Sequence, residues 1–284
     1  MDVVYTYCNR SILFSINILL LEKNMPWIRK IFLVTKYQRI KPLKKELNNL
    51  TPYFRKKCVI IKHSDIIPKE YLPTKKNGSA SKIIECYLHN IKELGEKYCY
   101  FNDDTFVIKP IEPKDIIDKA FGFPYNFKTV THYKRQKWGW PYWCSNLIAS
   151  RIYKKITGEK MLYMDAHQIC PLRKSSSKKV FDLSKKYIEK SIEKNINSGK
   201  SCRLIAARFT LLSMNYALYE GKLTPIDTKK NFKYLNAGLY MEKDNMKPFN
   251  DVLNNDNMYF ICVNNCCGKK YNKKLIDFFS NFFK

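Results

Sequence analysis

Apolar, β-branched segments alternate with segments of helical periodicity over the first third of the chain. Strands are predicted at Asp2–Tyr7, Ile28–Thr35, Cys58–His63 and Tyr98–Phe101, and helices at Ser11–Lys23 and Ser79–Leu94. The second helix is amphipathic, because one face carries only apolar side chains (Ile83, Ile84, Tyr87, Leu88 and Ile91). Such alternation is typical of an α/β fold with a largely parallel sheet.

The second half of the chain has a less regular pattern. The aromatic and basic stretch Thr131–Asn146 predicts a loop that lines a cleft, and Ser175–Lys179 predicts a flexible or phosphate-facing loop. Further helices are predicted at Ile148–Ile156, Asp182–Asn195 and Leu204–Glu220. Because no clear linker divides the chain, we predict one domain over 1–284, with an α/β half (1–125) and a more helical half (126–284).

Composition indicates a globular protein with a strongly basic charge. Hydrophobic residues make up 45% of the 284 positions, and the net charge is +27. Such a field attracts nucleic acid, anionic lipid head groups, nucleotide diphosphates or anionic saccharides. A nucleotide-biased genome also enriches lysine, so the charge alone selects no partner.

The location of the protein is predicted from the absence of export signals. Ser11–Glu22 is too short to cross a bilayer and contains Asn17, which favours a buried helix. The ten cysteines of this long chain favour free thiols in a reducing compartment. We therefore expect a cytoplasmic protein whose basic surface is available for peripheral contact with the anionic inner face of the membrane.

The sequence Asn102-Asp103-Asp104 directly follows the predicted strand Tyr98–Phe101. In open α/β sheets, ligands bind beyond the carboxyl ends of the strands. Carboxylates suit Mg²⁺ or Mn²⁺, and such an ion offsets the repulsion between adjacent acids and a bound diphosphate. Asn and Asp are also common in solvated turns, so both interpretations stay open at this point.

Three other stretches carry candidate chemistry. Asp165–Ser176 contains His167, a potential general base, and Arg173 and Lys174, which can bind phosphate oxygens. Arg203 precedes a predicted helix, where anions bind. The aromatic loop Tyr133–Trp143 could stack nucleotide bases or a sugar ring, or simply pack. Each pattern also has a purely structural explanation.

In order along the chain, these motifs resemble the Stealth family. That family groups bacterial capsular-polysaccharide phosphotransferases with the animal N-acetylglucosamine-1-phosphotransferase that tags lysosomal enzymes. The resemblance rests on DVVYTY (Asp2–Tyr7), EKNMPWIRKIFLVT (Glu22–Thr35), HSDIIPKEYLPT (His63–Thr74), IIECYLHNI (Ile83–Ile91) and YFNDDTFVIKPI (Tyr100–Ile111). It continues more weakly through Asn146, HQICPLRKS (His167–Ser175), CRL (Cys202–Leu204) and FICVNN (Phe260–Asn265).

The resemblance implies a fold and a reaction. The fold is a GT-A-like, Rossmann-like α/β fold with a mostly parallel sheet flanked by helices and a helical C-terminal part. The reaction moves a hexose- or N-acetylhexosamine-1-phosphate from a UDP-sugar to a saccharide hydroxyl, forms a phosphodiester and releases UMP, with Mg²⁺ or Mn²⁺ as cofactor. The nucleotide-sugar then belongs to the 1–125 half and the acceptor to the 126–284 half.

The resemblance also assigns residues. Asp103 and Asp104 would hold the metal and diphosphate, His167 would be the base on the acceptor hydroxyl, and Arg203 with Lys174 and Arg173 would neutralise the transferred phosphoryl group. The remaining candidates would bind donor or acceptor: Asp2, Thr6, Asn102 and Asn146. The chain departs from the family pattern at CNRS (Cys8–Ser11) and SASKII (Ser79–Ile84), where Lys82 could take over a donor contact.

Two other functions remain as alternatives. A glycosyltransferase of the same fold would attack the anomeric carbon and release UDP instead of UMP. A basic nucleic-acid-binding protein would bind with a steep salt dependence and would be indifferent to loss of Asp103 and Asp104.

Overall fold

The computed structural model describes residues 1–7, 13–72, 81–124, 140–164, 169–198, 207–228, 231–243, 245–264 and 272–283. The strands are β1 (Asp2–Thr6), β2 (Ile31–Thr35), β3 (Cys58–Lys62), β4 (Lys97–Phe101), β5 (Thr105–Val107), β6 (Lys119–Pro124), β7 (Tyr163–Met164), β8 (Cys170–Arg173), β9 (Thr224–Asp227), β10 (Phe232–Asn236) and β11 (Phe260–Asn264).

The helices of these residues alternate with the strands in the first half of the chain and dominate the second half. They are α1 (Leu13–Asn24), α2 (Ile40–Leu47), α3 (Pro52–Arg55), α4 (His63–Ile66), α5 (Ser81–Tyr87), α6 (Pro113–Ile116), α7 (Trp140–Thr157), α8 (Lys174–Ser198), α9 (Phe209–Tyr219), α10 (Ala237–Glu242), α11 (Lys247–Leu253) and α12 (Asn272–Ser280). Short 3-10 turns lie at Tyr37–Arg39, Lys69–Tyr71 and Leu88–Asn90.

The central sheet has five strands in the order β3-β2-β1-β4-β8. Strands β1 to β4 are parallel, and β8 adds antiparallel to β4. The inner strands are apolar along most of their length because helices cover both faces. The predicted strands at Asp2–Tyr7, Ile28–Thr35, Cys58–His63 and Tyr98–Phe101 are therefore confirmed, each within a few residues.

Alternate side chains of the sheet enter two different cores. Val3, Tyr5 and Leu33 pack with α1, α2 and α3 on one face. Val4 and Phe32 pack with α5, α7, α8 and α9 on the other. A third core joins the remaining side of α1 to β5, β10, β11 and the last helices. The helices predicted at Ser11–Lys23 and Ser79–Leu94 correspond to α1 and α5, although α5 ends at Tyr87 and continues as a 3-10 turn. Helices α2, α3, α4 and α6 were not predicted.

Two smaller sheets extend the molecule beyond β4. Strand β5 directly follows β4 and pairs antiparallel with β11, which pairs in parallel with β10. Strands β7, β6 and β9 form the other three-stranded sheet. The first of these sheets brings residues from the end of the chain next to the turn that leaves β4.

The predicted loop at Ser175–Lys179 is wrong, because these residues form the first turns of α8. The Ser177 hydroxyl lies 3.0 Å from the Tyr98 hydroxyl, and Ser176 donates to Glu220 at 2.5 Å. Buried hydrogen bonds thus use the serines that suggested a loop. Helix α8 consequently begins before the predicted Asp182.

Two other predictions for the second half need adjustment. The last residues of the stretch predicted as a cleft loop, 140–146, belong to α7, and 131–139 lie outside the described residues. The helix predicted over Leu204–Glu220 begins at Phe209, after the extended Arg208. None of the helices in the described part of the chain combines the length and apolar character that a bilayer crossing requires.

Candidate active site

The candidate site lies at the carboxyl edge of the central sheet, where β1 and β4 end. Their register places Tyr5 beside Phe101, so Thr6 and Asn102 leave the sheet side by side. The chain then turns through Asp103 and Asp104 into β5. We call Asn102–Asp104 the acid turn.

The acid turn is held by hydrogen bonds from helix α1. The Asn17 amide donates to the carbonyl of Thr105 at 2.6 Å and to that of Asp103 at 3.5 Å. Its oxygen accepts from the Tyr5 hydroxyl at 2.6 Å. Asn17 is only 1% exposed, so these bonds are shielded from water. A buried polar residue of helix α1 therefore supports the turn that carries the two acids.

A second set of bonds holds the acid turn from the other side. The backbone N–H of Val263 in β11 donates to the carbonyl of Asp104 at 2.8 Å, and that of Thr105 donates to Asn102 at 3.2 Å. Burial, and then the charge and hydrogen bonding of the Asp104 carboxylate, raise the pKa of the Cys262 thiol well above its usual range. The thiol therefore stays protonated and can donate to Asp104.

Tyr100 is the centre of a buried polar group beside the acid turn. Its hydroxyl donates to Asn102 Oδ1 at 3.2 Å and lies 3.3 Å from the Thr6 hydroxyl. Burial raises its pKa well above the ordinary value, and the negative charges of Glu85 and Asp103 raise it further. The Tyr100 phenol is thus a neutral hydrogen-bonding group at neutral pH.

Helix α5 contributes an ion pair to the same group. The Lys82 ammonium lies 3.1 Å from both carboxylate oxygens of Glu85, and Thr210 of α9 donates to Glu85 at 3.5 Å. Glu85 is 4% exposed. Glu85 is not among the site residues predicted from the sequence. The available signal was an acid within the apolar sequence Ile83–Leu88, which is typical of a buried, paired charge.

Helix α7 and the start of α9 complete this group. The N–H of Arg208 donates to the carbonyl of Ser145 at 3.3 Å, and its guanidinium charge lowers the pKa of Tyr100, against the raising effect of burial. Next to Ser145 lies Asn146, which is 1% exposed and whose amide N and O have no hydrogen-bond partner in the described structure. Such a buried amide is costly unless a ligand or water bonds to it.

We call these side chains the polar cluster, which comprises Thr6, Lys82, Glu85, Tyr100, Asn102, Asp103, Arg208 and Thr210. Three sequence-predicted site residues are among them (Thr6, Asn102 and Asp103), and Asp104 adjoins them. Asn146 follows Ser145, whose carbonyl accepts the bond from Arg208. Arg208 was missed because nothing local in the sequence distinguishes it from the other basic residues. It reaches the cluster only through the packing of α7 against α9.

Three other sequence-predicted residues lie at the opposite, amino edge of the sheet. Asp2 is fully buried at the start of β1, where it accepts bonds from the Arg29 side chain and, at 2.6 Å, from the Gly95 N–H. Arg173 opposes Lys97 at the start of β4 and pairs with Asp118 at 2.7 Å. The structure does not bring these residues to the acid turn.

Lys174 also lies at the amino edge. Its ammonium donates to three backbone carbonyls, at 2.8 Å to Ile91 and at 3.2 Å to Lys92 and Leu94. Because β8 runs antiparallel to β4, the end of β8 is remote from the acid turn. The sequence motif that suggested phosphate binding by Arg173 and Lys174 is therefore occupied by structural contacts.

His167 and Arg203 lie outside the described residues. Their sequence neighbours in the described structure are at the carboxyl edge: Cys170 opposes Tyr100, and Arg208 belongs to the polar cluster. The described histidines are His63 and His89, both buried, and burial lowers the pKa of each to about 4.

The acid turn suits a divalent cation by its chemistry. Asp103 and Asp104 offer adjacent, partly exposed carboxylates. Among the described residues, no group of three or more His, Cys, Asp or Glu side chains is placed to hold a metal. One or two carboxylates, completed by phosphate and water oxygens, form the usual Mg²⁺ set in nucleotide sites. The two residues therefore fit a metal that is shared with a diphosphate.

Comparison with known proteins gives a family and a fold. The family model described as Stealth protein CR2, conserved region 2, matches residues 9–123. A capsular polysaccharide phosphotransferase of Haemophilus influenzae is 32% identical over 212 residues, which cover 72% of this chain and 53% of that protein. A receptor polysaccharide phosphotransferase of Streptococcus gordonii is 26% identical over 253 residues, with 77% and 72% covered.

The chain spans about half the length of the capsular phosphotransferases it matches. Among solved structures, the galactosyltransferase LgtC in complex with donor and acceptor sugar analogs superimposes with a TM-score of 0.51 at 10% identity, over 99% of this chain and 95% of that chain. At this identity the likeness concerns the fold. It confirms the predicted GT-A-like α/β architecture.

Proposed function

The chain belongs to the Stealth family, and from this premise we propose that it is a sugar-1-phosphate transferase. The donor is a UDP-sugar, and the group transferred is a hexose- or N-acetylhexosamine-1-phosphate. The acceptor is a saccharide hydroxyl, whose oxygen attacks the β-phosphorus. The bond from that phosphorus to the bridging oxygen breaks, UMP leaves, and a phosphodiester remains.

The observation that carries this proposal is the acid turn beside the polar cluster. Two adjacent carboxylates repel each other, and partial burial increases the repulsion. The turn is nevertheless held from both sides by Asn17 and Val263. A structure that fixes two acids next to each other supports a bound cation there. Mg²⁺ or Mn²⁺ on Asp103 and Asp104 would withdraw charge from the diphosphate during transfer.

The described side chains have separate roles in this proposal. Arg208 and Lys82 supply positive charge beside the acid turn, so they would bind donor phosphate oxygens. Glu85 keeps Lys82 in place through both carboxylate oxygens. Asn146, whose buried amide has no partner among the described residues, would bond to a hydroxyl of donor or acceptor.

The proton of the acceptor hydroxyl requires a base. The resemblance assigns this role to His167 and assigns Arg203 to the negative charge on the transferred phosphoryl group. Both described histidines are buried and neutral, so neither competes for the role. Thr6 and Asn102 would contact the donor next to the acid turn, at the edge where GT-A folds receive the nucleotide.

The test identifies the nucleotide that is released. The protein is incubated with UDP-N-acetylglucosamine or a UDP-hexose, Mg²⁺ or Mn²⁺, and saccharide acceptors, and the products are separated and weighed by mass spectrometry. We expect UMP in equal amount to a phosphodiester-linked product, and loss of turnover with a chelator. UDP with a new glycosidic bond would overturn the proposal and identify a glycosyltransferase.

A further inference from the structure

The surface formed by residues 36–57 carries an unusual concentration of positive charge. This segment holds eight Lys and Arg residues and one acid, Glu46. None of the eight forms an ion pair with a described carboxylate, and Arg55 and Lys57 donate to backbone carbonyls. The other six side chains form no hydrogen bond with a described group: Lys36, Arg39, Lys41, Lys44, Lys45 and Lys56. We call these six side chains, with Tyr37 and Tyr53, the α2 face.

The one acid of this segment is turned away from the α2 face. Glu46 accepts hydrogen bonds from the Tyr7 hydroxyl at 2.6 Å and from the Ser15 hydroxyl at 3.2 Å, and both donors belong to other parts of the chain. Leu43 and Leu47 of the same helix pack into the core. The outer side of α2 therefore presents positive charge without local compensation.

The arrangement of the lysines in α2 opposes helix stability. Lys41, Lys44 and Lys45 are exposed and are spaced by three and four residues, so they share one side of the helix. Like charges at this spacing repel each other. Lys44 and Lys45 also lie in the last turn of α2, where positive charge favours the helix dipole. An anionic partner would relieve the remaining repulsion.

Two aromatic side chains flank the charged helix. Tyr37, before α2, is 72% exposed, and Tyr53, after it, is 67% exposed, which makes them the most exposed large apolar side chains in the described structure. The Lys57 ammonium lies 4.4 Å from the centre of the Tyr53 ring. Tyrosine combines an apolar ring with a polar hydroxyl, and this combination is favoured at the interface between lipid and water.

The other lysine-rich surface of the protein is different. Along α8, Lys178 pairs with Asp182 at 2.8 Å, and Lys179 pairs with Glu220 at 3.0 Å. Lys185 lies 3.9 Å from Glu189. Helix α8 has seven lysines and three acids, whereas residues 36–57 have eight basic residues and one acid. The positive charge of α8 is therefore compensated to a greater extent than that of the α2 face.

We propose that the α2 face docks the protein on the surface of an anionic lipid bilayer. Unpaired lysines attract acidic head groups, and the two tyrosines enter the interfacial region. A bilayer fits better than a nucleic acid, because the charges lie on the outside of a helix and not in a groove that could follow a strand. The α2 face does not contain the acid turn, although Lys36 and Arg39 lie at the same carboxyl edge of the sheet, beside His63.

The test measures binding to vesicles. Flotation is compared between vesicles of phosphatidylcholine and vesicles that contain about 30% phosphatidylglycerol, at low and high salt. We expect binding only to the anionic vesicles, and weaker binding as salt rises. Each lysine at such a surface changes partitioning about fivefold. The triple variant Lys41→Gln, Lys44→Gln, Lys45→Gln should therefore bind about 100-fold more weakly.

A matched control removes the same charge elsewhere. Lys186→Gln, Lys190→Gln, Lys194→Gln changes three exposed lysines of α8 and should alter partitioning by less than about threefold. Equal losses in the two triple variants would mean that only net charge matters and would overturn the proposal. So would retention of vesicle binding by the α2 variant.

Two further measurements separate docking from misfolding and from nucleic-acid binding. The α2 variant should unfold at nearly the same temperature as the wild type, because the relieved repulsion and the lost interaction of Lys44 and Lys45 with the helix dipole are both small and oppose each other. Tyr37→Ser with Tyr53→Ser should reduce the binding that remains at high salt several-fold. Tighter binding to single-stranded oligonucleotides than to anionic vesicles, lost in the α2 variant, would contradict the bilayer assignment.

Discussion

The two edges of the central sheet carry the same kinds of side chain and use them differently. At the amino edge, Asp2 is bonded to Arg29 and to the Gly95 N–H, and Asp118 pairs with Lys97 and Arg173. Each acid at this edge is thus paired with a basic side chain. At the carboxyl edge, Asp103 and Asp104 instead lie adjacent to each other on a turn.

This contrast gives a criterion by which a ligand-binding site can be distinguished from a structural ion pair. The two edges of the sheet cannot be distinguished by residue type, since aspartate, arginine and lysine occur at both. What distinguishes the carboxyl edge is that two adjacent carboxylates lie on a turn whose backbone is held from both sides. Adjacent acids repel each other, so a turn that fixes them together points to a bound cation.

The largest expected effect follows from changing the acid turn. Asp103→Asn or Asp104→Asn should reduce turnover by at least about 10⁴-fold, because a metal contributes several kcal/mol to phosphoryl transfer. Thermal unfolding should change little, since removal of one carboxylate relieves repulsion. Initial rates of UMP release measure the effect.

The matched control for this change is Asp118→Asn at the amino edge. Asp118 has φ 62°, a conformation that asparagine tolerates. The variant loses contacts to Lys97 and Arg173 on a partly exposed carboxylate and should keep full turnover. Equal losses of turnover at both edges would remove the distinction between them.

The second effect concerns the base. His167→Ala should slow turnover roughly 10²–10⁴-fold and remove the acid limb of the pH–rate profile. The control is His89→Leu, at a buried histidine whose pKa is lowered to about 4 by burial. That variant should keep the acid limb of the pH–rate profile. If His167→Ala reacts at a nearly normal rate with an unchanged profile, another group takes the proton.

The third effect tests the support of the acid turn. Asn17→Leu removes the amide that holds the carbonyls of Asp103 and Thr105, and a displacement of about 1 Å can lower rates about 10²-fold. Asn24→Leu is the control, because Asn24 of the same helix donates to Val107 at 2.8 Å, at the far end of β5.

Both asparagine variants should lower the free energy of unfolding by about 1–3 kcal/mol, because each leaves a buried carbonyl unpaired. Only Asn17→Leu should also require more Mg²⁺ or Mn²⁺ for half-maximal rate. An equal loss of rate in both variants would mean that Asn17 stabilises the fold and does not specifically position the acid turn.

The fourth effect is a dependence of the free energy of unfolding on pH, through a histidine at the carboxyl edge. His63 follows β3 at this edge, and burial, with the charges of Lys36 and Arg39, lowers its pKa to about 4. Between pH 6.5 and 4 the unfolded chain binds a proton that the folded protein does not. His63 should therefore lower the free energy of unfolding by up to about 3 kcal/mol on acidification over this range, and His89, whose pKa is also about 4, should add a similar loss.

Urea denaturation at several pH values measures this loss of stability. A His63→Asn variant should lose a matching part of the slope while other titrating groups keep theirs. If the variant follows the wild-type curve at every pH, then His63 is not the group that titrates.

The smallest effect is expected at the amino edge. Asp2→Ala leaves the Gly95 N–H without its acceptor and Arg29 without its carboxylate. The free energy of unfolding should fall by about 2 kcal/mol. Turnover per folded molecule should not change, although Asp2 is among the residues predicted from the sequence to bind substrate. A raised KM for the donor would restore that assignment.

Much of the first half of the fold could be predicted from the sequence. Strands β1 to β4 are short apolar runs with polar residues at their ends, and this pattern is local. The turn at Asp103 and Asp104 could be placed for the same reason. The predicted loop at Ser175–Lys179 failed, because buried partners such as Tyr98 use those serines within a helix.

The rest of the site depends on contacts between distant parts of the chain. Nothing near Arg208 in the sequence indicates that it meets Tyr100, and nothing near Asp2 indicates that it starts a strand at the far edge from Asp103. A single sequence shows residue types and periodicity. It does not show which residues of neighbouring strands lie side by side, because that depends on the strand register.

Strand β11 has a consequence for the order in which the molecule matures. During synthesis, the acid turn emerges more than half a chain length before Val263, whose N–H holds the carbonyl of Asp104. Until β11 has paired with β5, the turn is supported from one side only. Catalytic competence should therefore be acquired only after β11 has been synthesised and has paired, well after the strands of the central sheet have emerged.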